Sequence, residues 1–396
     1  MTFVGIIFAA LGLLTLSWGM VERTNKKLGL LILVYLLHLA ATVAYYWYVQ
    51  TADADTKLYY YDPYGFYGKH FSLGTMFVIY AVQWLKGVIG GSYLDFFMLF
   101  QLFGLAGLML LIRTLEELTI ALKWTWPALF TVMIFMPGIY FWTSAIGKDA
   151  PLFLASTLTV WAMLQFSRRW IWFAVALALM LLFRPHVAVV AVGALAMALV
   201  LGRGISPAIR AAAIVFALIG VFFVGRTVQG SLQIDLSSVG SIATYVENQT
   251  TVASTAAGNE DVVALSFPLK LISLLFRPLF FDAGGVFGII ASVQNLFMLF
   301  AAFLLVRQAR VWRAMFGSSL AIRYATFYLL GMILLLTLMY YNVGLGLRQR
   351  EMFTPPLYLI FGALFCHWRY TNPARRGAIP ASGPAANSAV PASART

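Results

Sequence analysis

The chain has 396 residues, of which 62% are hydrophobic and only 10% charged, against about 45–50% and 25% in soluble domains. A soluble globular fold is excluded. Its 27 Lys and Arg outnumber 14 Asp and Glu, for a net charge of +13. In a soluble protein that balance would point to nucleic acid; in so apolar a chain it asks which side of a bilayer the charges occupy, and no nucleic-acid partner is expected. The single cysteine, Cys366, excludes an internal disulfide framework and any Cys-based metal cluster.

A helix needs about 20 mostly apolar residues to cross the hydrocarbon. Runs of this kind predict spans near 2–20, 28–49, 93–112, 126–143, 150–167, 170–183, 187–202, 208–225, 286–306, 324–341 and 352–368. The fold class expected is therefore an all-α, polytopic integral membrane protein of about eleven spans. The first run has no Lys or Arg ahead of it and is followed by Arg23, Lys26 and Lys27, so it reads as a retained helix and not a cleaved signal. A further stretch at 71–91, interrupted by Gly87, Gly90 and Gly91, reads as an interfacial or re-entrant helix. External loops are expected at 50–92 and 226–285, within one multi-span domain of residues 1–369. Residues 370–396, rich in Pro, Ala, Ser, Gly and Arg, read as a disordered cytoplasmic tail.

Orientation follows from the excess of Lys and Arg in short cytoplasmic loops. With the loop at 21–27 inside, 17 Lys and Arg face three acids on that side, a net of +14, and the remaining 10 face 11 acids outside. The expected arrangement is an external N-terminus and a cytoplasmic C-terminus in a bacterial inner membrane.

The span interiors carry few ionisable residues, whereas the helix ends assigned to the external side carry many. Arg184 is the sharpest case. Only 14 residues separate it from Arg169, about 21 Å of helix against a hydrocarbon core of about 30 Å. The Arg184-Pro185-His186 apex should then lie in a recess below the outer headgroups, and a charge held at depth is expensive enough to imply function. The plainer alternative is an arginine that snorkels to cap a short helix.

Arg348 and Arg350 offer two guanidinium forks suited to a diphosphate, or else ion pairs with Glu351 or Asp282. Lys148-Asp149 adds a point charge or an internal pair. Asp53 and Asp55, followed by Tyr59, Tyr60, Tyr61 and Asp62, place acids among aromatic rings. A carboxylate can take the proton of a sugar hydroxyl while an aromatic face stacks on the pyranose. His186 is the rival base, because an imidazole beside arginines tends to stay neutral.

The segments ADADTKLYYY, FWTSAIGKDA, LLFRPHVAVV, LLFRPLFFDAGG and NVGLGLRQREMFTPP resemble those of bacterial surface-polysaccharide polymerases of the O-antigen and exopolysaccharide (Wzy and EpsG) kinds, within the GT-C class of membrane glycosyltransferases. The resemblance covers roughly residues 40–365. It implies a transferase acting on a polyprenyl-(pyro)phosphate-linked glycan donor and acceptor, with Arg184, Arg277, Arg348 and Arg350 on the phosphate side and Asp53 or Asp55 as acceptor base. Lys148, Asp149 and Tyr60 complete the substrate-binding candidates. A chain-length regulator or other assembly proteins are the implied partners beside the lipid bilayer, and no cofactor or metal is called for. The alternatives are a single-sugar transferase using a polyprenyl-phosphate sugar, and a lipid-linked oligosaccharide flippase or transporter.

Overall fold

The computed structural model describes residues 2–19, 28–52, 54–69, 71–121, 126–232, 262, 265–340 and 342–371. Asp53, the basic loop at 21–27, most of the polar loop at 226–265 and the tail from residue 372 onward lie outside the described residues.

In hydrocarbon every backbone N–H and C=O must be paired within the segment, and only helices or closed barrels achieve this. Accordingly the described residues are mostly helical and form no strand. The helices are α1 (Phe3–Thr15), continued by a 3-10 turn (Leu16–Gly19), α2 (Leu28–Thr51), α3 (Asp55–Tyr61), α4 (Thr75–Ile89), α5 (Tyr93–Ala121), α6 (Ala128–Ile134), α7 (Pro137–Trp142) and α8 (Asp149–Leu164). There follow α9 (Phe166–Phe183), α10 (Pro185–Val200), α11 (Pro207–Leu232), α12 (Phe267–Phe276), α13 (Gly285–Arg307), α14 (Ala309–Ser318), α15 (Leu320–Leu338), α16 (Val343–Arg350) and α17 (Thr354–Thr371). Among the described residues five helices are long and apolar enough to cross a membrane: α2, α5, α9, α13 and α15. The other predicted spans form shorter apolar helices or, in α11 and α17, shorter apolar stretches (Pro207–Phe223 and Thr354–His367).

The bundle is organised about α5 and α8. Nearly every side chain of α8 is buried, and α5 packs along it and along α1. Their close approach requires Gly107, where a Cβ would lie 2.7 Å from Phe153 Cδ1 and 3.0 Å from Leu154 Cα. A small residue at a helix crossing lets the backbones meet, the usual solution where lipid supplies no hydrophobic drive for association. The flanks are as apolar as the core. On α11, Phe216, Leu218, Phe222 and Phe223 are each more than half exposed, a surface suited to lipid and not to water.

Proline sets two breaks that shape one end of the bundle. The predicted span 126–143 is instead two short helices, because Pro137 forces Met136 into an extended conformation (φ −63°, ψ 121°). Likewise Pro185 holds Arg184 extended (φ −152°, ψ 89°) between α9 and α10. The stretch at 71–91 contains a helix of 15 residues, α4, which stops at Gly90 (φ 66°) and Gly91 (φ 101°). Arg323, expected in a loop ahead of its span, lies inside α15, where it is buried and donates to the carbonyls of Ala198 (2.8 Å), Phe316 and Gly317 (both 3.1 Å).

Candidate functional site

Asp149 occupies the first turn of α8, where the unpaired N–H groups and the helix dipole favour a negative charge. It is 5% exposed and is the hub of an ionic cluster. The Nε of Arg348 donates to its Oδ2, and the Nη2 of Arg184 lies 3.5 Å from its Oδ1. Arg348 also donates through Nη1 to Asp55 Oδ2 at 3.1 Å. Asp55 opens the cluster outward, with its side chain 54% exposed.

Lys148 precedes the hub, and its Nζ donates to Thr75 Oγ1 (2.9 Å) at the start of α4. No carboxylate of the described residues pairs with it within ion-pair distance. The turn that brings Lys148 here requires Gly147 at φ 154°, a conformation that L side chains rarely adopt. A Cβ at that position would lie in van der Waals contact with the Tyr59 ring at 3.4 Å, so the backbone angle and not space selects glycine.

Three cations thus surround two carboxylates, and their donors are not all used. Arg184 is 9% exposed, yet its Nε is buried without an acceptor, and His186 Nε2 is buried with no hydrogen-bond partner. A buried unmatched donor costs about 1–3 kcal/mol, so one left in place requires a reason. Burial, aided by the neighbouring Arg184 charge, pulls the Lys148 ammonium down to about 8. Burial works against the charge of Arg348 too, but the carboxylates of Asp149 and Asp55 outweigh it and hold the guanidinium firmly protonated. The arrangement is a largely buried cationic cluster with the exposed carboxylate of Asp55 at its edge, and it includes the Arg184 apex that helix length predicts to lie in a recess.

The structure separates the other candidates from this recess. Arg350 is 3% exposed and donates to the carbonyls of Leu275 (2.8 Å) and Arg277 (3.0 Å) and to Asn295 Oδ1; these contacts pin α12 and α13 together. Arg277 pairs with Asp282 at 2.5 Å, apart from the recess. Neither expected partner, Glu351 or Asp282, bonds Arg348. Tyr60 points away, donating its hydroxyl to Gly91 O at 2.9 Å. Asp62 caps a turn, accepting from the N–H groups of Phe66 and Tyr67 (2.8 and 2.9 Å).

Asp55, Lys148, Asp149, Arg184 and Arg348 do come together, and His186 feels the charges of Arg184 and Lys148. Sequence reasoning named Tyr59 among the aromatic rings but chose Tyr60 for the site, and it missed Thr75. Burial raises the Tyr59 phenol well above its ordinary value, so it serves the cluster as a neutral wall. Its signal was available in the spacing, since Thr56, Tyr59 and Tyr60 form the buried face of α3. Among the described residues no three of His, Cys, Asp or Glu gather as metal ligands.

The chain matches no protein-family profile, no curated protein and no solved structure.

Proposed function

We propose that the recess binds the diphosphate of a polyprenyl-linked glycan and that the protein is a membrane glycosyltransferase, in the first instance a polysaccharide polymerase. One observation carries the reading: Arg184 and Arg348 converge on Asp149 and Asp55 with Lys148 beside them, leaving a surplus of positive charge and the buried Nε of Arg184 unmatched. A diphosphate supplies the missing acceptors, and guanidinium forks take its oxygens two at a time.

In the reaction so read, the bond from the sugar anomeric carbon to the diphosphate oxygen breaks and its electron pair leaves with the diphosphate. The arginines and Lys148 neutralise that developing charge, the contribution expected to dominate. An acceptor hydroxyl forms the new bond to the anomeric carbon and gives its proton to a carboxylate. Asp55 is the base this geometry favours, because it is the exposed acid of the cluster, whereas Asp149 is enclosed by two arginines.

On this reading the eleven predicted segments alternate across a bacterial inner membrane, with the recess and the N-terminus on the periplasmic side and the C-terminus in the cytoplasm. Other polysaccharide-assembly proteins, such as a chain-length regulator, would act beside it. The test is product analysis in a strain that depends on this chain. Arg184→Ala should abolish polymer and accumulate lipid-linked single repeats, while Arg184→Lys retains a fraction of the activity. Polymer of normal amount and length from Arg184→Ala would sink the proposal. Loss of one added sugar in place of a ladder would reassign the protein to the single-sugar transferases.

A further inference from the structure

α10 leads away from the Arg184 break, and at its far end, about 24 Å along the helix, lies a second group of arginines that the proposed reaction does not use. The route to it is marked on α13 by Ile289, Val293, Leu296, Phe300, Phe303 and Val306, all exposed and spaced three or four residues apart. Such a stripe, on a helix long and apolar enough to cross a membrane, suits hydrocarbon and not water. It ends at Val306, and the next residue, Arg307, is exposed too. A guanidinium placed where an apolar stripe stops sits at the level of the lipid headgroups.

α14 starts at that level, two residues later. Its Val311, Trp312, Met315 and Phe316 pack inward on the core, while Arg310 and Arg313 are exposed. Positions 310, 313 and 317 are three and four residues apart and share one face of the helix. At 317 stands a glycine, and the guanidinium of Arg203, from the turn after α10, takes the place of the missing side chain: a Cβ on Gly317 would lie 3.9 Å from Arg203 Cζ. Arg323 sets this approach, because it donates both to Ala198 O in α10 and to Phe316 O and Gly317 O in α14. Three guanidiniums from two parts of the chain thus line one face. Among the described residues no Asp or Glu pairs with Arg203, Arg307, Arg310 or Arg313. Like charges at this spacing repel, so the face lacks a counter-anion.

We infer that this face docks anionic phospholipid, the headgroup phosphate being held among Arg203, Arg310 and Arg313. The occupant is lipid because the arginines begin where the apolar surface of α13 ends, and because a guanidinium fork takes two phosphate oxygens and stays charged. The bias of Lys and Arg toward cytoplasmic loops is met by charges in any arrangement and does not call for three on one face. Nothing in the inference depends on the reaction at Asp149.

The test is native mass spectrometry of the full chain in detergent, titrated with dioleoyl phosphatidylglycerol or dioleoyl phosphatidylcholine, which share their acyl chains. Phosphatidylglycerol should bind at least about tenfold more tightly, with about fivefold lost for each arginine removed from the face. The double variant Arg310→Gln/Arg313→Gln should therefore erase most of the preference, and Arg203→Gln alone should reduce it. Arg310→Lys/Arg313→Lys, which keeps the charge, should retain most of it. Arg168→Gln, which removes an exposed arginine elsewhere, should leave it unchanged, and thermal unfolding in the same detergent shows that each variant is folded. An undiminished preference in both the double glutamine variant and Arg203→Gln overturns the inference. Equal losses in Arg168→Gln and Arg310→Gln overturn it as well, since net charge and not the face would then set the preference. Competition by glycerol 3-phosphate as effective as that by phosphatidylglycerol also overturns it, because the face would then take a soluble anion.

Discussion

The α8–α9 pair carries a charged cluster at each end, and the two are built to opposite specifications. At one end Glu117 of α5 accepts from Arg113 Nε (3.0 Å), Arg169 Nη1 (2.7 Å) and Trp161 Nε1 (3.1 Å). Arg169 also lies over the Trp161 ring, 4.1 Å from its centroid. Both carboxylate oxygens are used, and Arg113 is exposed enough (32%) for its spare donors to meet solvent. At the other end, about 18 Å along α8, Asp149 sits among Arg184, Arg348 and Lys148, and the spare Nε of Arg184 is sealed from solvent. Surplus positive charge is common to both ends. What differs is whether the surplus donors have somewhere to go, and on the proposed reading that difference separates a structural latch from an anion site.

Substitutions at the two ends should therefore fail in different ways. The largest effect is expected from Arg348→Ala, which removes the link between Asp55 and Asp149. Loss of one preorganised donor to developing charge is worth about 10²–10³ in rate, so product formation in membranes should fall by at least that factor at unchanged protein level. Arg113→Ala, at the closed end, should leave turnover per folded molecule unaltered. Equal losses at both ends would erase the distinction.

Of comparable size is the effect of Asp55→Asn. If Asp55 takes the acceptor proton, the catalytic constant should fall by about 10²–10⁴ with little change in KM for the donor. A change confined to KM would move Asp55 from chemistry to binding.

Glu117→Gln should act on stability alone. It exchanges a carboxylate for an amide amid three donors, two of them cationic, and should cost about 1–3 kcal/mol, read as a lowered Tm in detergent without change in product pattern. Loss of activity at full thermal stability would mean that the latch also reaches the chemistry.

The smallest effect is one of pH. The Lys148 ammonium is held down to about 8 by burial and by Arg184, so it is charged below that pH and neutral above it. Affinity for pyrophosphate should decline by a few fold as pH rises through about 8. Lys148→Arg, which stays charged, should flatten that profile, and an inflection that survives the substitution would assign it to another group.

How much of this was legible beforehand varies by residue, for identifiable reasons. Arg184 could be found because helix length against bilayer thickness is a one-dimensional quantity, and its partner Pro185 marked the break. Arg348 and Arg350 could not be told apart while the segment before the last span was treated as a linker. Once residues 343–350 form a helix, two positions correspond to about 200° of rotation, so the two guanidiniums leave on nearly opposite faces. One joins Asp149 and the other joins Asn295.

Composition and apolar run length alone determined that the chain is helical and suited to a bilayer, because backbone hydrogen bonding in hydrocarbon leaves almost no alternative. They also marked where ionisable residues gather along the chain. Only the tertiary structure decided which of those charges meet. Asp55, Asp149, Arg184 and Arg348 are brought together from four separate parts of the chain, Arg348 and Asp55 being 293 residues apart. Pairing at that range is set by how helices pack and rotate, and no local pattern encodes it.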